Sequence, residues 1–237
     1  SGFSIIGGQK IDRYSIYVDR KRSLAKEWDL GYGMSYRFAK DRDFQTYDKV
    51  TGDIPTENTD SRLREQTANV YVSLSKNYAT GTSVSISATG EYYTIGNYRK
   101  WAVYPQASLT YVKSSEHLFQ FSLSTDKTYP GYWDMQSSVS HLNGYTELWG
   151  TPGLKPSTAY NLNGNYIWKQ KYIFGLFFMH TSDFFVQTGY QSTDRLALIY
   201  KNTNWNYMQM WGTNVILPFK AGNWLDSRLT LVGMQVH

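Results

Sequence analysis

One property of this chain restricts its fold more than any other: apolar and polar residues alternate with a period of two along almost its whole length. Successive side chains of a strand point to opposite faces, so this alternation builds a sheet with two unlike surfaces. Segment 27–39 is the clearest case. Trp28, Leu30, Tyr32, Met34, Tyr36 and Phe38 fall on one face, and Asp29, Gly31, Gly33, Ser35, Arg37 and Ala39 on the other. The contrast returns in Ala68, Val70, Val72 and Leu74 against Asn69, Tyr71, Ser73 and Ser75, and in Phe119, Phe121 and Leu123 against Gln120, Ser122 and Ser124. Later, Tyr160, Leu162, Tyr166 and Trp168 oppose Asn161, Asn163 and Asn165. A row of Asn and Ser is costly in a dry sandwich core, where each amide needs partners. A wet interior removes that cost.

The pattern predicts an all-β fold of ten strands: 9–19, 27–39, 65–76, 83–94, 101–113, 117–126, 157–168, 171–186, 195–217 and 223–236. Strand 195–217 exceeds any membrane crossing, so a bulge near 202–204 or an extension beyond the bilayer is expected. Taken alternately up and down, the strands place the long connections, about 25 residues after 39 and about 30 residues at 127–156, at one end and the short turns at the other. Trp28, Tyr111, Tyr160, Trp168, Tyr172 and Trp224 sit near strand ends, where interfacial girdles belong. Segments of about ten residues, apolar outside and polar inside, describe an antiparallel up-and-down transmembrane β-barrel.

Composition closes off the alternatives. No stretch approaches the eighteen or so apolar residues of a transmembrane helix. Aromatic residues make up 17% of the chain and are set among Ser, Thr, Asn and Gly, a mixture that favours strands. There is no cysteine, so disulfides and thiolate chemistry are excluded. The net charge of +5 is spread thinly, its densest run being Arg20, Lys21 and Arg22 between two strand-like segments, so nucleic acid is not an expected partner.

At YPGYWDMQSSVSHLNGYTELWGTPGLKPSTAYNLNGNYIW the chain resembles the outer-membrane β-barrel family related to TonB-dependent receptors. The most specific part is TPGLKPSTAYNL, similar to the family's G-N-P-x-L-K-P-E element entering a strand, with Trp149, Gly150, Thr151, Pro152, Leu154, Lys155 and Pro156 in its places. Thr151 stands where the family has Asn, and Ser157 where it has Glu. The run DRLALIYKNTNWNYMQMWGTNVILPFKAGNW also looks like this family. The resemblance implies a barrel of about twenty-two strands around an internal plug. Residues 1–237 are then expected to be part of such a barrel, lacking the N-terminal plug and the final strands. It further implies uptake of a nutrient across the outer membrane of a Gram-negative cell, driven by an inner-membrane energy-coupling complex, with room for a surface lipoprotein. Outer-membrane lipid is the remaining expected partner.

The search for chemistry returns little. His117, His141, His180 and His237 have no metal-ligand spacing, no enzymatic motif is present, and neither catalysis nor a cofactor is expected. Asp41, Asp43, Asp48 and Asp53 lie in a loop-like stretch without the EF-hand pattern, which reads as a solvated external loop. Arg37 and Glu91 are predicted to point into the lumen, either as a polar network or as contacts for a passing solute. Tyr129, Tyr132, Trp133, Tyr145 and Trp149 of the external connection are the candidates for ligand contact, since aromatic faces stack on sugars, peptides or cofactor rings. Packing that connection onto the barrel rim is the competing role for them. Two rival functions stand beside uptake: a soluble all-β carbohydrate-binding module, and a membrane barrel serving as anchor or adhesin. The first requires the large apolar face to be buried; a membrane barrel requires Trp28, Tyr32, Tyr36, Phe119 and Phe121 to form an outward band about 25 Å tall.

Overall fold

The computed structural model describes residues 2–51 and 57–237. Asp53, one of the four loop acids named above, lies outside them. Among the described residues fourteen strands form: β1 (Gly2–Ser23), β2 (Trp28–Thr51), β3 (Thr59–Asn77), β4 (Ser83–Ile95), β5 (Tyr98–Ser114), β6 (His117–Thr128), β7 (Val139–Asn143), β8 (Thr146–Trp149), β9 (Ser157–Trp168), β10 (Tyr172–Ser182), β11 (Phe185–Gln191), β12 (Leu198–Asn204), β13 (Tyr207–Ala221) and β14 (Leu225–Val236). Ten of them make one antiparallel sheet in the order β1-β2-β3-β4-β5-β6-β9-β10-β13-β14. β7, β8, β11 and β12 make a second, smaller sheet.

Register carries the alternation through the whole large sheet. Leu30 sits opposite Leu74, Leu74 opposite Ile86, Ile86 opposite Ala107, Ala107 opposite Leu123 and Leu123 opposite Leu162. These side chains share the outward face. Tyr32, Met34, Tyr36, Val70, Val72 and Phe121 on that face are exposed, an arrangement that only lipid satisfies over so large an area. From Trp28 to Phe38 the apolar row rises about 34 Å along the strand, or about 26 Å at a tilt near 40°, which is the height of a bilayer core. The opposite face is polar: Ser85, Ser87, Gln106, Ser108, Ser122 and Ser124 line a common hollow of about 220 Å³. The exposed outward band removes the soluble-module reading.

The turns explain the local breaks. Lys169 and Gln170 both adopt positive φ, 51° and 54°, within the three-residue hairpin loop, 169–171, between β9 and β10. The connection expected at 95–100 contracts to Gly96 and Asn97, with Gly96 at φ 54°, a conformation glycine takes without strain.

Three expectations are corrected. First, β2 and β3 do not end at 39 and begin at 65; they pair on to Gln45 and Thr59 as a tall ribbon beyond the bilayer. The alternation there is written in charges instead of apolar residues, so an apolar period does not detect it. Asp41 and Asp43 are accordingly strand residues facing inward and buried, not members of a solvated loop. Second, 171–186 divides at Asp183, whose φ is 51°, into β10 and β11. Third, 195–217 is neither bulged nor continuous: it breaks at Trp205 and Asn206, and β12 leaves the large sheet for the small one. Trp205 and Asp183 hold this corner by backbone bonds to Phe184 and Asn206.

Among the described residues β1 and β14 each pair on one side only, so the ten-stranded sheet is an open arc.

Candidate functional site

The connection between β6 and β9 folds back over the polar face instead of standing out in solvent. Met135 and Leu154 from this connection join Tyr93 and Ile95 of β4 in a small buried core, with Tyr129, Tyr132 and Phe185 packed around it. Such a core is what a long connection needs to hold a single shape.

Below it lies a charged network. Glu91 of β4 accepts hydrogen bonds from Lys127 Nζ, from the Tyr129 hydroxyl at 2.7 Å and from the Tyr104 hydroxyl at 3.3 Å. Lys127 Nζ also stands 4.3 Å from the centre of the Tyr93 ring and 4.6 Å from that of Tyr129, so its charge is enclosed by one carboxylate and aromatic faces. The Lys127 and Glu91 side chains are only 9% and 6% exposed. The Tyr132 hydroxyl donates to Glu65. Arg37 lies 5.8 Å from the Tyr129 ring centre, and among the described residues its buried Nε has no hydrogen-bond partner.

Of the residues singled out in the sequence, Arg37, Tyr129, Tyr132 and Trp133 converge on one recess of about 420 Å³, with Gln9 and Arg13 on its far wall. Glu91 stands behind it. Tyr145 is elsewhere, 65% exposed at the β7–β8 turn. Trp149 faces another cluster, its Nε1 donating to Glu147 at 2.8 Å, where Arg195 also donates at 2.6 Å. Glu65, Lys127, Tyr104 and Arg13 escaped the sequence reading. Glu65 has the inward parity of its strand, which was the available signal; Lys127 has the parity of Phe119, Phe121 and Leu123, so the alternation places it outward and gives no signal for its burial.

The Gly150–Pro156 element acts as a clamp. Leu154 and Pro156 are fully buried, while Pro152 is exposed. The backbone of Lys155 exchanges two hydrogen bonds with the Asn204 side chain, at 2.8 and 3.0 Å, and Thr151 Oγ1 donates to the Asn202 carbonyl at 2.6 Å. Gly150 lies against the backbone of Gln136, so a Cβ there would overlap the Gln136 carbonyl oxygen. Gly150→Ala should cost about 1–3 kcal/mol of local stability. Protease added to cells carrying the full-length protein should then cut within 129–156 while the barrel keeps its heat-modifiable mobility; an uncut loop would refute the clamp.

On the inner side of the tall ribbon Asp41 and Asp43 adjoin, and among the described residues both Asp43 oxygens lack hydrogen-bond partners. Burial first, then the neighbouring Asp41, pushes the Asp43 carboxyl up to about 7. A folded-state value above the unfolded one means the fold holds the proton: the ribbon is unpenalised below about pH 4 and loses stability as pH rises from there to about 7. Asp43→Asn should therefore stabilise the full-length protein increasingly between pH 4 and pH 8, read as the shift in thermal midpoint relative to wild type. A shift independent of pH would contradict the buried neutral carboxyl.

The profile of the outer membrane protein beta-barrel family matches residues 6–236. No curated protein matches the chain. Among solved structures, the fold is similar to that of the siderophore receptor PirA from Pseudomonas aeruginosa, with a TM-score of 0.63 at 12% identity over 96% of this chain and 43% of that one. It is also similar to the FrpB iron transporter from Neisseria meningitidis, at 0.58 and 11% over 96% and 36%. The Serratia marcescens hemophore receptor HasR, solved with its hemophore HasA and heme, gives 0.62 and 10% over 97% and 42%. The chain thus spans less than half the length of each.

Proposed function

The chain belongs to the outer membrane protein beta-barrel family, and from that premise we propose that it is the wall of a TonB-dependent-receptor-like transporter that takes up a nutrient across the outer membrane. It is an outer-membrane barrel and not an enzyme. The observation that carries the reading is the ordered external connection folded over the polar face, which narrows the lumen on the side a solute would meet first. An anchor or adhesin has no need of a shaped recess there.

On this reading the open edges at β1 and β14 are completed by further strands of the same barrel, since unpaired backbone groups are not tolerated in lipid. A plug inside that barrel would close the pore, and coupling to an inner-membrane complex would move it. The recess beside Arg37 and Arg13, with the faces of Tyr132 and Trp133, suits a solute carrying an anionic group and a flat ring.

The test uses the host. Cells lacking the gene should accumulate less of one radiolabelled solute among ferric siderophores, haem and copper chelates, and a protonophore should abolish the difference. Equal accumulation of all three with and without the gene would favour the anchor.

A further inference from the structure

Asp41 and Asp43 stand side by side on the inner face of the tall ribbon, 2% and 0% exposed. Two adjoining carboxylates out of water are costly unless opposite charge or several donors reach them. Here almost nothing does. The Gln9 amide donates to Asp41 Oδ1 at 2.9 Å, and among the described residues Asp41 Oδ2 and both Asp43 oxygens accept no hydrogen bond. Nor does a described Lys, Arg or His lie within 4.0 Å of either acid: Lys40 and Arg42 have the opposite parity and turn outward, where Arg42 pairs with Asp60 at 2.9 Å.

A third side chain comes from the connection between β6 and β9. Gln136, 1% exposed, follows Met135 of the small core and reaches toward Asp43 without closing a hydrogen bond to it. Its Nε2 is buried with no partner among the described residues, while its Oε1 accepts from Ser138 Oγ at 3.0 Å. Turning the amide over lets Nε2 donate to the Ser138 hydroxyl and brings Oε1 against the acid pair. That one rotation relieves the amide and adds an oxygen to the three that the aspartates leave open. Register sets Gln9 and Ser61 opposite Asp43 as further polar neighbours. Among the described residues no third His, Cys, Asp or Glu joins the group, so its donors are oxygens alone. An irregular, all-oxygen set suits calcium, which accepts about six to eight such ligands with water among them, better than octahedral magnesium or a softer transition metal.

We infer that Asp41, Asp43 and Gln136 form a calcium site that ties the connection between β6 and β9 to the ribbon of β2 and β3. One divalent ion balances both carboxylates, where a proton neutralises only one. The ribbon stands on the side of the long connections, which faces the external medium, and extracellular calcium modules hold the ion with dissociation constants of about 0.1–1 mM. Because Gly150 lies against the Gln136 backbone, the ion also steadies the Gly150–Pro156 clamp. Nothing in this assignment requires that the barrel transports a solute.

The experiment uses the full-length protein purified from its host, stripped with EDTA and dialysed against radiolabelled calcium. Wild type should bind one ion more per chain than D41N/D43N. Calcium at about ten times its dissociation constant should slow protease cutting within 129–156 about tenfold in wild type, by mass action on the closed form, and leave the variant's cutting unchanged. Asp43→Asn supplies a change of sign: at neutral pH its thermal midpoint should lie above that of wild type in EDTA and below it in saturating calcium. Equal calcium stoichiometry in wild type and in a D41N/D43N protein that keeps its heat-modifiable mobility would overturn the proposal. So would wild-type cutting that calcium does not slow, an outcome read without any variant.

Discussion

Val72→Arg is expected to lower the stability of the folded barrel in lipid by about 2–4 kcal/mol, the cost of an arginine on the lipid face near the bilayer midplane. Val72 is half exposed, faces outward opposite Tyr32 and Ala88, and stands midway along β3 between Gln66 and Lys76. The same change at Ala68, four residues nearer the external girdle and flanked by Tyr36 and Tyr92, should cost about 0–1 kcal/mol, because the side chain reaches the headgroups. Urea unfolding of the full-length protein from vesicles measures both. Equal costs at the two positions would mean that β3 does not cross the bilayer at the height assigned to it.

Lys127→Met is expected to cost about 3–5 kcal/mol, because it leaves the Glu91 carboxylate enclosed without its cation. The Tyr129 and Tyr104 hydroxyls remain as donors but carry no charge. Adding Glu91→Gln should restore most of the loss, since a neutral amide among tyrosines needs no counter-charge. The coupling is read from the four stabilities of the cycle by unfolding of the full-length protein. Additive losses would show that Lys127 and Glu91 do not act as a pair. Loss confined to the external loop, seen as protease cutting within 129–156, would trace the effect to Tyr129.

The ten strands of the large sheet were legible because lipid imposes one rule on all of them, and Trp28–Phe38 or Phe119–Leu123 state it in apolar residues. Where β2 and β3 leave the bilayer the rule changes. Lys40, Asp41, Arg42 and Asp43 still alternate, but a period sought in apolar residues passes over them. The second sheet was illegible for a different reason: β8 is four residues long and its partner β12 lies about fifty residues away, so no local pattern specifies their pairing. Arg37 and Glu91 could be assigned inward by parity alone. Their meeting with Tyr129 and Lys127 depends on the fold of the connection, and the anchors of that fold, Asn202 and Asn204, carry no signal in the linear sequence.

The parallel pairing of β12 with β8, from Leu198 opposite Thr146 to Lys201 opposite Trp149, ties together two connections that leave the barrel at different strands. Loops that are tethered this way lose their independence. Residues 129–156 and 183–206 are therefore expected to open as one unit over their side of the rim, and amide hydrogens in β8 and β12 should exchange in step.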